Sequence, residues 1–246
     1  MKSEPLIICP VHNEEEHIRD FYYRLRKNYK GSALFIDDGS TDRSSIFLGK
    51  IKSKNTFIMG HSQRRGYGAA LLSGFDFARE NNYKRIVTID VDLQHRPEQI
   101  PQFLKELFEW EVVLGSRYIK ITNTLNIPKS RLTINHYISE LIKVLFSVEF
   151  TDPFCGFRGY RDSFLKKAKL TNQSYGIALE ILLEVIKQGV AFCEIPVEAI
   201  YFKDIGKFLD GLDDPCRRLL YYLEVISKKR KEIISEEKVF VHKPSP

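Results

Sequence analysis

Short apolar runs alternate with helix-period runs along the first half of the chain. Leu6–Cys9, Ala33–Asp37, Thr56–Met59, Arg85–Ile89 and Val112–Gly115 read as strands, near-continuously apolar as expected when both faces of a sheet are covered. Between them, apolar positions recur with the helical period. They predict helices from about Glu14 to Asn28, from Thr41 to about Lys52 and from about Tyr67 to Asn81. A further helix opens at Pro97, in a first turn that tolerates proline. Ala69, Ala70, Leu72, Phe75 and Ala78 mark the inward face of the third helix. This alternation predicts an α/β fold with a mostly parallel central sheet flanked by helices.

The pattern changes after Tyr118. Lys120–Lys129 reads as a loop, and Leu132–Phe146 as a helix that is apolar on much of its circumference. Burial within the protein suits such a helix; lying in a membrane interface is the alternative. A helix over Ile177–Gln188, a strand over Ala191–Ile195 and an amphipathic helix over Pro215–Glu232 complete the pattern. No repeat, low-complexity segment or second domain interrupts it. Residues 1–234 are expected to form one domain, and 235–246 a C-terminal tail.

At 246 residues and 43% hydrophobic, the chain can bury a substantial core. No run reaches the roughly 18–20 apolar residues of a membrane-spanning helix. Met1–Pro5 leads straight into a strand, so no signal peptide is expected. Cys9, Cys155, Cys193 and Cys216 lie far apart with no Cys-x-x-Cys pair, which argues against zinc. Cys9 and Cys193 fall in apolar patterns and read as small buried residues. Free thiols fit a reducing, cytoplasmic setting. The net charge of +6 favours anionic, phosphate-rich partners, but no nucleic-acid-binding signature accompanies it. The run Lys228–Lys231 closes the last helix pattern. It reads as a solvated face or a partner of the helix dipole, with contact to anionic lipid headgroups as the alternative.

The chemistry concentrates in Thr88–Pro97. Asp90, Asp92 and Gln94 occupy alternate positions just past a predicted strand. Alternate residues of an extended chain share a face, so two carboxylates and an amide oxygen are expected to converge. Such hard oxygen donors suit Mg²⁺ or Mn²⁺, which would hold a diphosphate. In open α/β sheets, ligands bind outside the carboxyl ends of the strands. The loops Pro10–Glu14 and Ile36–Asp42 fall at the same edge. Carboxylates gathered there repel one another unless a cation or hydrogen-bond donors hold them. Nucleotide sugars supply donors from base N–H groups and ribose hydroxyls, which Asp38 or Glu14 could accept. Ser40 or Thr41 is expected to cap the second helix, with Asp42 in its first turn. That capping leaves Asp37 and Asp38 unexplained. Gly66 and Gly68 open the third helix, where glycines permit close approach to an anion.

Taken together, Pro10–Glu14, Asp37–Asp42, Arg65–Ala70, Asp90–Pro97, Gly115–Tyr118 and Asp152–Tyr160 resemble glycosyltransferase family 2. Within it, the chain is most similar to the dolichol-phosphate mannosyltransferases and bacterial polyprenyl-phosphate glycosyltransferases. The resemblance covers about two thirds of the chain, in family order. It implies the GT-A nucleotide-sugar fold, a Rossmann-like sheet flanked by helices. It also implies a nucleotide-sugar site of Pro10, Asn13, Glu14, Asp37, Asp38, Gly66, Asp90, Val91 and Asp92. Lys203 and Lys207 resemble a basic C-terminal loop that closes over the donor. Asp90, Asp92 and Gln94 would bind the metal and diphosphate. Arg117, Arg131 and Asn135 would hold an acceptor phosphate, beside helices at 131–146 and 215–232. Asp92, Arg117 and Arg131 would carry catalysis. Cys155–Arg158 would shape the sugar pocket. The sequence departs from the family pattern at His12, usually aromatic, at Arg96, commonly proline, and at Cys155, commonly serine or threonine.

Inverting transfer to a hydroxyl needs a general base. Relatives acting on hydroxyls place it in a Glu-Asp pair ahead of a late helix. Here that stretch reads Ser174-Tyr175-Gly176-Ile177-Ala178-Leu179-Glu180, leaving Glu180 as the one candidate, either base or structural hydrogen bonder. A phosphate monoester needs no base, being roughly nine-tenths dianionic at pH 7. It needs cations, which Arg117 and Arg131 provide. The expectation is transfer of a hexose from GDP-mannose or a UDP-sugar to polyprenyl or dolichyl phosphate. The enzyme would sit peripherally at the inner membrane face, alone or with a membrane protein partner. Transfer to a saccharide hydroxyl, and a non-catalytic nucleotide-sugar-binding module, are the alternatives. A nucleotidyltransferase would need a Gly-rich triphosphate loop after the first strand, which is missing.

Overall fold

The computed structural model describes residues 4–119, 124–125, 127–200, 208 and 211–241, with 124–125, 199–200 and 236–241 described as backbone. All five predicted strands of the first half are present. They are β1 (Leu6–Val11), β2 (Ser32–Asp37), β3 (Thr56–Gly60), β4 (Arg85–Thr88) and β5 (Val112–Ser116). The helices between them are α1 (Ile18–Asn28), α2 (Ser44–Ile51), α3 (Tyr67–Glu80) and α4 (Ile100–Glu106), the last preceded by a 3₁₀ turn at Pro97–Gln99. Then come β6 (Thr124–Leu125), α5 (Lys129–Phe146), β7 (Arg158–Arg161), α6 (Asp162–Lys167), α7 (Ile177–Gln188), β8 (Phe192–Pro196), β9 (Ala199–Ile200) and α8 (Pro215–Val241).

Seven strands form one mixed sheet in the order β3-β2-β1-β4-β7-β5-β8. Every pairing is parallel except those of β7, which runs antiparallel to both β4 and β5. The α/β, mostly parallel expectation holds, and β7 is the departure. Its residues, Arg158-Gly159-Tyr160-Arg161, carry no apolar run. Arg158 is fully buried all the same. Its guanidinium donates to the carbonyls of Cys155, Ala178 and Pro153 at 2.7–2.8 Å. A buried cation satisfied in this way takes the place of a hydrophobe.

Strand alternation sorts the core onto the two sheet faces. Leu6, Ile8, Leu34, Ile36, Ile86, Val112 and Leu114 pack with α3, α5, α7 and α8. Ile7, Cys9, Val11, Ala33, Phe35, Val87 and Val113 pack with α1, α2 and α4. This is a three-layer αβα domain, and β1, β2, β4 and β5 all end at one edge. The antiparallel strand β7 starts there, so Cys155 and Gly156 arrive at the same place.

Helix boundaries differ locally from the sequence expectation. α2 starts at Ser44, because Ser40 and Thr41 tie loops together instead of capping. The Ser40 hydroxyl accepts from the Asn13 N–H, and the Thr41 N–H donates to Asn13 Oδ1. The N-cap position falls on Arg43, whose side chain makes no capping bond, and Asp42 Oδ1 just before it accepts from the Ser44 N–H. α8 continues past the expected end at 232 to Val241, into the segment expected to be a tail. α5 resolves the choice between burial and exposure by splitting. Ile134, Ile138 and Ile142 are buried, whereas Leu132, Tyr137 and Val144 face solvent.

Candidate active site

A cavity of about 600 Å³ opens where β1, β2, β4 and β5 end. Its wall on the β1 and β2 side is Pro10, His12, Asn13, Glu14, Asp38 and Arg64. Tyr67, Asp90, Asp92, Gln94, His95 and Gly156 form its centre. On the β5 side stand Arg117, Tyr118, Arg131, Asn135, Phe154, Tyr175, Phe208, Arg218 and Tyr222.

The central carboxylates converge, though not by extended alternation. β4 ends at Thr88, and Leu93 takes the left-handed conformation (φ 59°), which bends Asp92 and Gln94 back into the cavity. The Gln94 N–H donates to Asp92 Oδ1 at 3.0 Å, closing the turn. Asp90 Oδ1 accepts from the Tyr67 hydroxyl at 3.0 Å. Gly156 lies so close that a Cβ there would sit 2.5 Å from Asp90 Oδ2. Burial, then the Asp92 charge, pushes the Asp90 carboxyl up to about 6. Burial raises Asp92 as well. Neither forms an ion pair among the described residues, where no cluster of three His, Cys, Asp or Glu is gathered for a metal. Two uncompensated carboxylates beside an amide oxygen fit Mg²⁺ or Mn²⁺ completed by substrate phosphates. They do not form a self-sufficient protein cage.

His95 braces this turn. It is buried, with Nδ1 3.3 Å from the Glu198 carbonyl and Nε2 3.6 Å from Cys155 Sγ. Burial pushes the Cys155 thiol up to about 12, so it is a neutral donor. Arg96 reaches Glu198 at 2.7 Å.

On the donor side, the structure redistributes several expected roles. Asp37 lies outside the cavity wall. Its carboxylate accepts from the Ser40 N–H and the Ser45 hydroxyl, so it folds the β2–α2 loop. Val91 is also away from the wall, buried in the core beneath α1 and α4. Gly66 is a packing residue. Its φ is +108°, and a Cβ there would meet the Gln173 carbonyl at 2.5 Å. Its N–H donates to Asp38 Oδ2 at 2.7 Å, so it cradles a protein carboxylate where an anionic ligand was expected. Asp38 Oδ1 accepts from the Arg65 N–H at 2.8 Å and lies 2.7 Å from His61 Nδ1. Asp38 still faces the cavity and retains lone pairs for a ligand. Burial holds the Glu14 carboxyl above its usual range, against the hydrogen bond from His17. Lys203 and Lys207 lie outside the described residues.

The acceptor side holds the largest surprise. Arg117 is buried and clamped by Asp152, through Nε at 2.6 Å, Nη2 at 2.7 Å and its own backbone N–H at 3.1 Å. The two-pronged face expected to grip a phosphate thus grips a protein carboxylate. Arg131 lines the cavity with its guanidinium over the Phe208 ring. Asn135 Nδ2 donates to the Thr151 carbonyl, and its buried Oδ1 has no partner among the described residues. That oxygen suits a hydroxyl or N–H donor, not a phosphate oxygen. Glu180 lies outside the wall. Its oxygens accept from the Thr171 N–H and hydroxyl and the Asn172 N–H at 2.8–2.9 Å. It staples the 171–172 loop to α7. The base role considered for Glu180 is therefore not supported by its position.

Comparison with known proteins agrees with this geometry. Residues 6–168 match the family model described as Glycosyl transferase family 2. The chain belongs to that family. It is a glycosyltransferase enzyme, and its mixed sheet is the GT-A fold. It is 27% identical over 198 residues to the undecaprenyl-phosphate mannosyltransferase of Micrococcus luteus, covering 78% of this chain and 82% of that one. It is 26% identical over 200 residues to the polyprenol monophosphomannose synthase of Mycolicibacterium smegmatis, covering 78% and 76%. Among solved structures it is similar to the glucosyl-3-phosphoglycerate synthase of Mycobacterium tuberculosis in complex with Mn²⁺, UDP-glucose and phosphoglyceric acid. That likeness has a TM-score of 0.72 at 16% identity, over 94% of this chain and 80% of that one.

Tyr67, His95, Tyr175 and Arg218 line the cavity of this family 2 glycosyltransferase and Asp152 holds Arg117 there, and sequence reasoning assigned none of them a role. Tyr67, His95 and Asp152 fall inside matched motifs, so position could have flagged them. Tyr175 and Arg218 reach the cavity only through tertiary folding.

Proposed function

We propose that this glycosyltransferase moves a hexose from a nucleoside-diphosphate sugar, GDP-mannose or a UDP-sugar, to a polyprenyl or dolichyl phosphate. One observation carries the reading: among the described residues, the β5 side of the cavity offers arginines and no carboxylate. A hydroxyl acceptor would need a base there. A phosphate brings its own nucleophilic oxygen and needs counter-charge.

In the reaction, a phosphate oxygen attacks the anomeric carbon opposite the leaving group. The new C–O bond forms as the bond to the diphosphate oxygen breaks, with its electron pair moving onto the nucleoside diphosphate. No proton has to be removed. Asp90, Asp92 and Gln94 would hold Mg²⁺ or Mn²⁺, which supplies charge neutralisation on the departing oxygens. Tyr67 orients Asp90. Asp38 and Glu14 accept from the nucleoside, and Arg131 docks the acceptor. Arg117, fixed by Asp152, shapes the cavity wall between them.

The names of the Micrococcus and Mycolicibacterium relatives support this acceptor class. No helix among the described residues is long and apolar enough to cross a membrane. In this reading the lipid is met peripherally, along the exposed Leu132, Tyr137 and Val144 face of α5, or with a membrane protein partner. A panel of labelled nucleotide sugars, assayed with Mn²⁺ and a short-chain polyprenyl phosphate, tests the reading. Label is expected in the organic phase, and absent from it with Asp92→Asn. Label that stays in water-soluble saccharide would refute the acceptor.

A further inference from the structure

His61 follows β3 and meets Asp38 where the sheet ends. The last residue of β3, Gly60, pairs with Asp37 of the neighbouring parallel strand. The His61 N–H then donates to the Asp37 carbonyl at 2.9 Å, so His61 and Asp38 leave the sheet side by side. Their side chains are only 6% and 5% exposed. A carboxylate only accepts, so His61 Nδ1 donates to Asp38 Oδ1, at 2.7 Å. Nε2 lies 3.0 Å from the Ser73 hydroxyl on α3, which fixes the turn of the ring.

Each Asp38 oxygen also accepts from a backbone N–H just ahead of α3, Oδ1 from Arg65 at 2.8 Å and Oδ2 from Gly66 at 2.7 Å. Each carboxylate oxygen has two lone pairs. Oδ1, with two donors, is filled, and what acceptor capacity remains lies on Oδ2. The main chain of Asp38 is held as well. Its N–H donates to the Val11 carbonyl and its carbonyl accepts from His12 Nδ1, both at 2.8 Å. The carboxylate is therefore fixed, with one oxygen open to the cavity it lines. Guanine carries two donors on one edge, N1–H and the 2-amino group, which fit a carboxylate with both oxygens open. Uracil carries one, N3–H, between two carbonyls. A guanine placed at Asp38 would leave an N–H without an acceptor inside the cavity, which weakens binding. Uracil leaves none.

We infer that His61 is a specificity-determining residue: by filling Oδ1 it makes Asp38 a one-oxygen acceptor, which selects a uridine diphosphate donor over a guanosine one. His61 touches no substrate and acts through Asp38. That Asp38 accepts from the nucleoside base rests on the function proposed above. Removing the His61 N–H would open Oδ1 and let the guanine pair of donors engage both oxygens.

Calorimetric titration of the whole chain with UDP, GDP and N3-methyl-UDP, each with Mn²⁺, tests the assignment. UDP should bind about tenfold to a hundredfold more tightly than GDP, the loss expected for one unpaired donor. Methylation of N3 should weaken UDP by about tenfold or more. His61→Leu should bring UDP and GDP to within about threefold of each other, whereas His61→Asn, which keeps an N–H, should retain the preference for UDP. A merely structural His61 would weaken both nucleotides alike and leave their ratio unchanged. That unchanged ratio, wild-type binding of GDP as tight as UDP, or indifference to N3 methylation would overturn the assignment. Should His61→Leu show no melting transition, Ser73→Ala, which releases the ring, should narrow the ratio instead, and an unchanged ratio there would overturn the assignment equally. UDP selectivity that depends on His61, without transfer to polyprenyl phosphate, would refute the proposed acceptor and leave the base selection standing.

Discussion

Replacing Asp152 by alanine should destabilise the enzyme severely. Asp152 is 1% exposed, and Arg117, 9% exposed, meets it through two side-chain hydrogen bonds of 2.6 and 2.7 Å. Removing one member of such a pair leaves an uncompensated buried charge, which costs about 3–5 kcal/mol. At roughly 2–4 °C per kcal/mol for a chain of this size, the melting temperature should fall by about 6–20 °C. Deleting both charges with Arg117→Met and Asp152→Leu should recover most of that stability, since apolar replacement of a buried pair is often near neutral. Thermal denaturation of the two single variants and the double variant closes the cycle. A coupling of several kcal/mol is expected. An Asp152→Ala loss below about 1 kcal/mol, or additive single losses, would refute the view that Arg117 is structurally clamped.

Three further outcomes are expected. Glu180→Gln should cost about 1.5–3 kcal/mol of stability through lost charge-assisted hydrogen bonds, yet leave turnover at permissive temperature nearly intact. A kcat loss of about 10²–10⁴, typical of a missing general base, would revive the hydroxyl-acceptor reading. Asp90 is held up at about 6 against the usual 3.8, so its neutral form is favoured by the fold. The metal-free enzyme should be most stable on this account below the unfolded value. It should lose about 3 kcal/mol as pH rises through about 6. Metal binding needs the ionised carboxylate, so the melting-temperature gain from Mn²⁺ with UDP or GDP should be small at about pH 5 and large at about pH 7.5. A gain equal at both pH values, or an Asp90→Asn variant with the same profile, would contradict this. Finally, neutralising Lys228, Arg230 and Lys231 to glutamine should weaken flotation with anionic liposomes about a hundredfold, at about 1 kcal/mol per charge. Lys229 is excluded because it is buried, 2.6 Å from Glu184. Equal flotation of variant and wild type would remove this run from the membrane argument.

The sheet was legible because its strands are buried on both faces and therefore read as unbroken apolar runs. β7 was not legible, since a buried arginine and a glycine stand where hydrophobes would signal a strand. The carboxylates were found by motif and topology, although it is the left-handed Leu93 that turns Asp92 and Gln94 inward. The errors share one cause. Sequence shows which groups can bind a ligand, but not which partners have already engaged them. Asp37, Gly66, Arg117 and Glu180 each have the right chemistry for a site, and each is committed to a neighbour brought in by the fold. Arg218 shows the converse, as nothing local marks it. It becomes notable only when α8 packs beside α5 and leaves its Nη2 buried and without a hydrogen-bond partner among the described residues.

The most direct test of the acceptor claim is a paired transfer assay. The same labelled nucleotide sugar and Mn²⁺ would be offered with a short-chain polyprenyl phosphate, with the matching polyprenol, and with free saccharides. Release of nucleoside diphosphate coupled to lipid-linked sugar in the phosphate reaction alone is the predicted result. Transfer to the polyprenol or a saccharide, with the phosphate inert, would contradict the account.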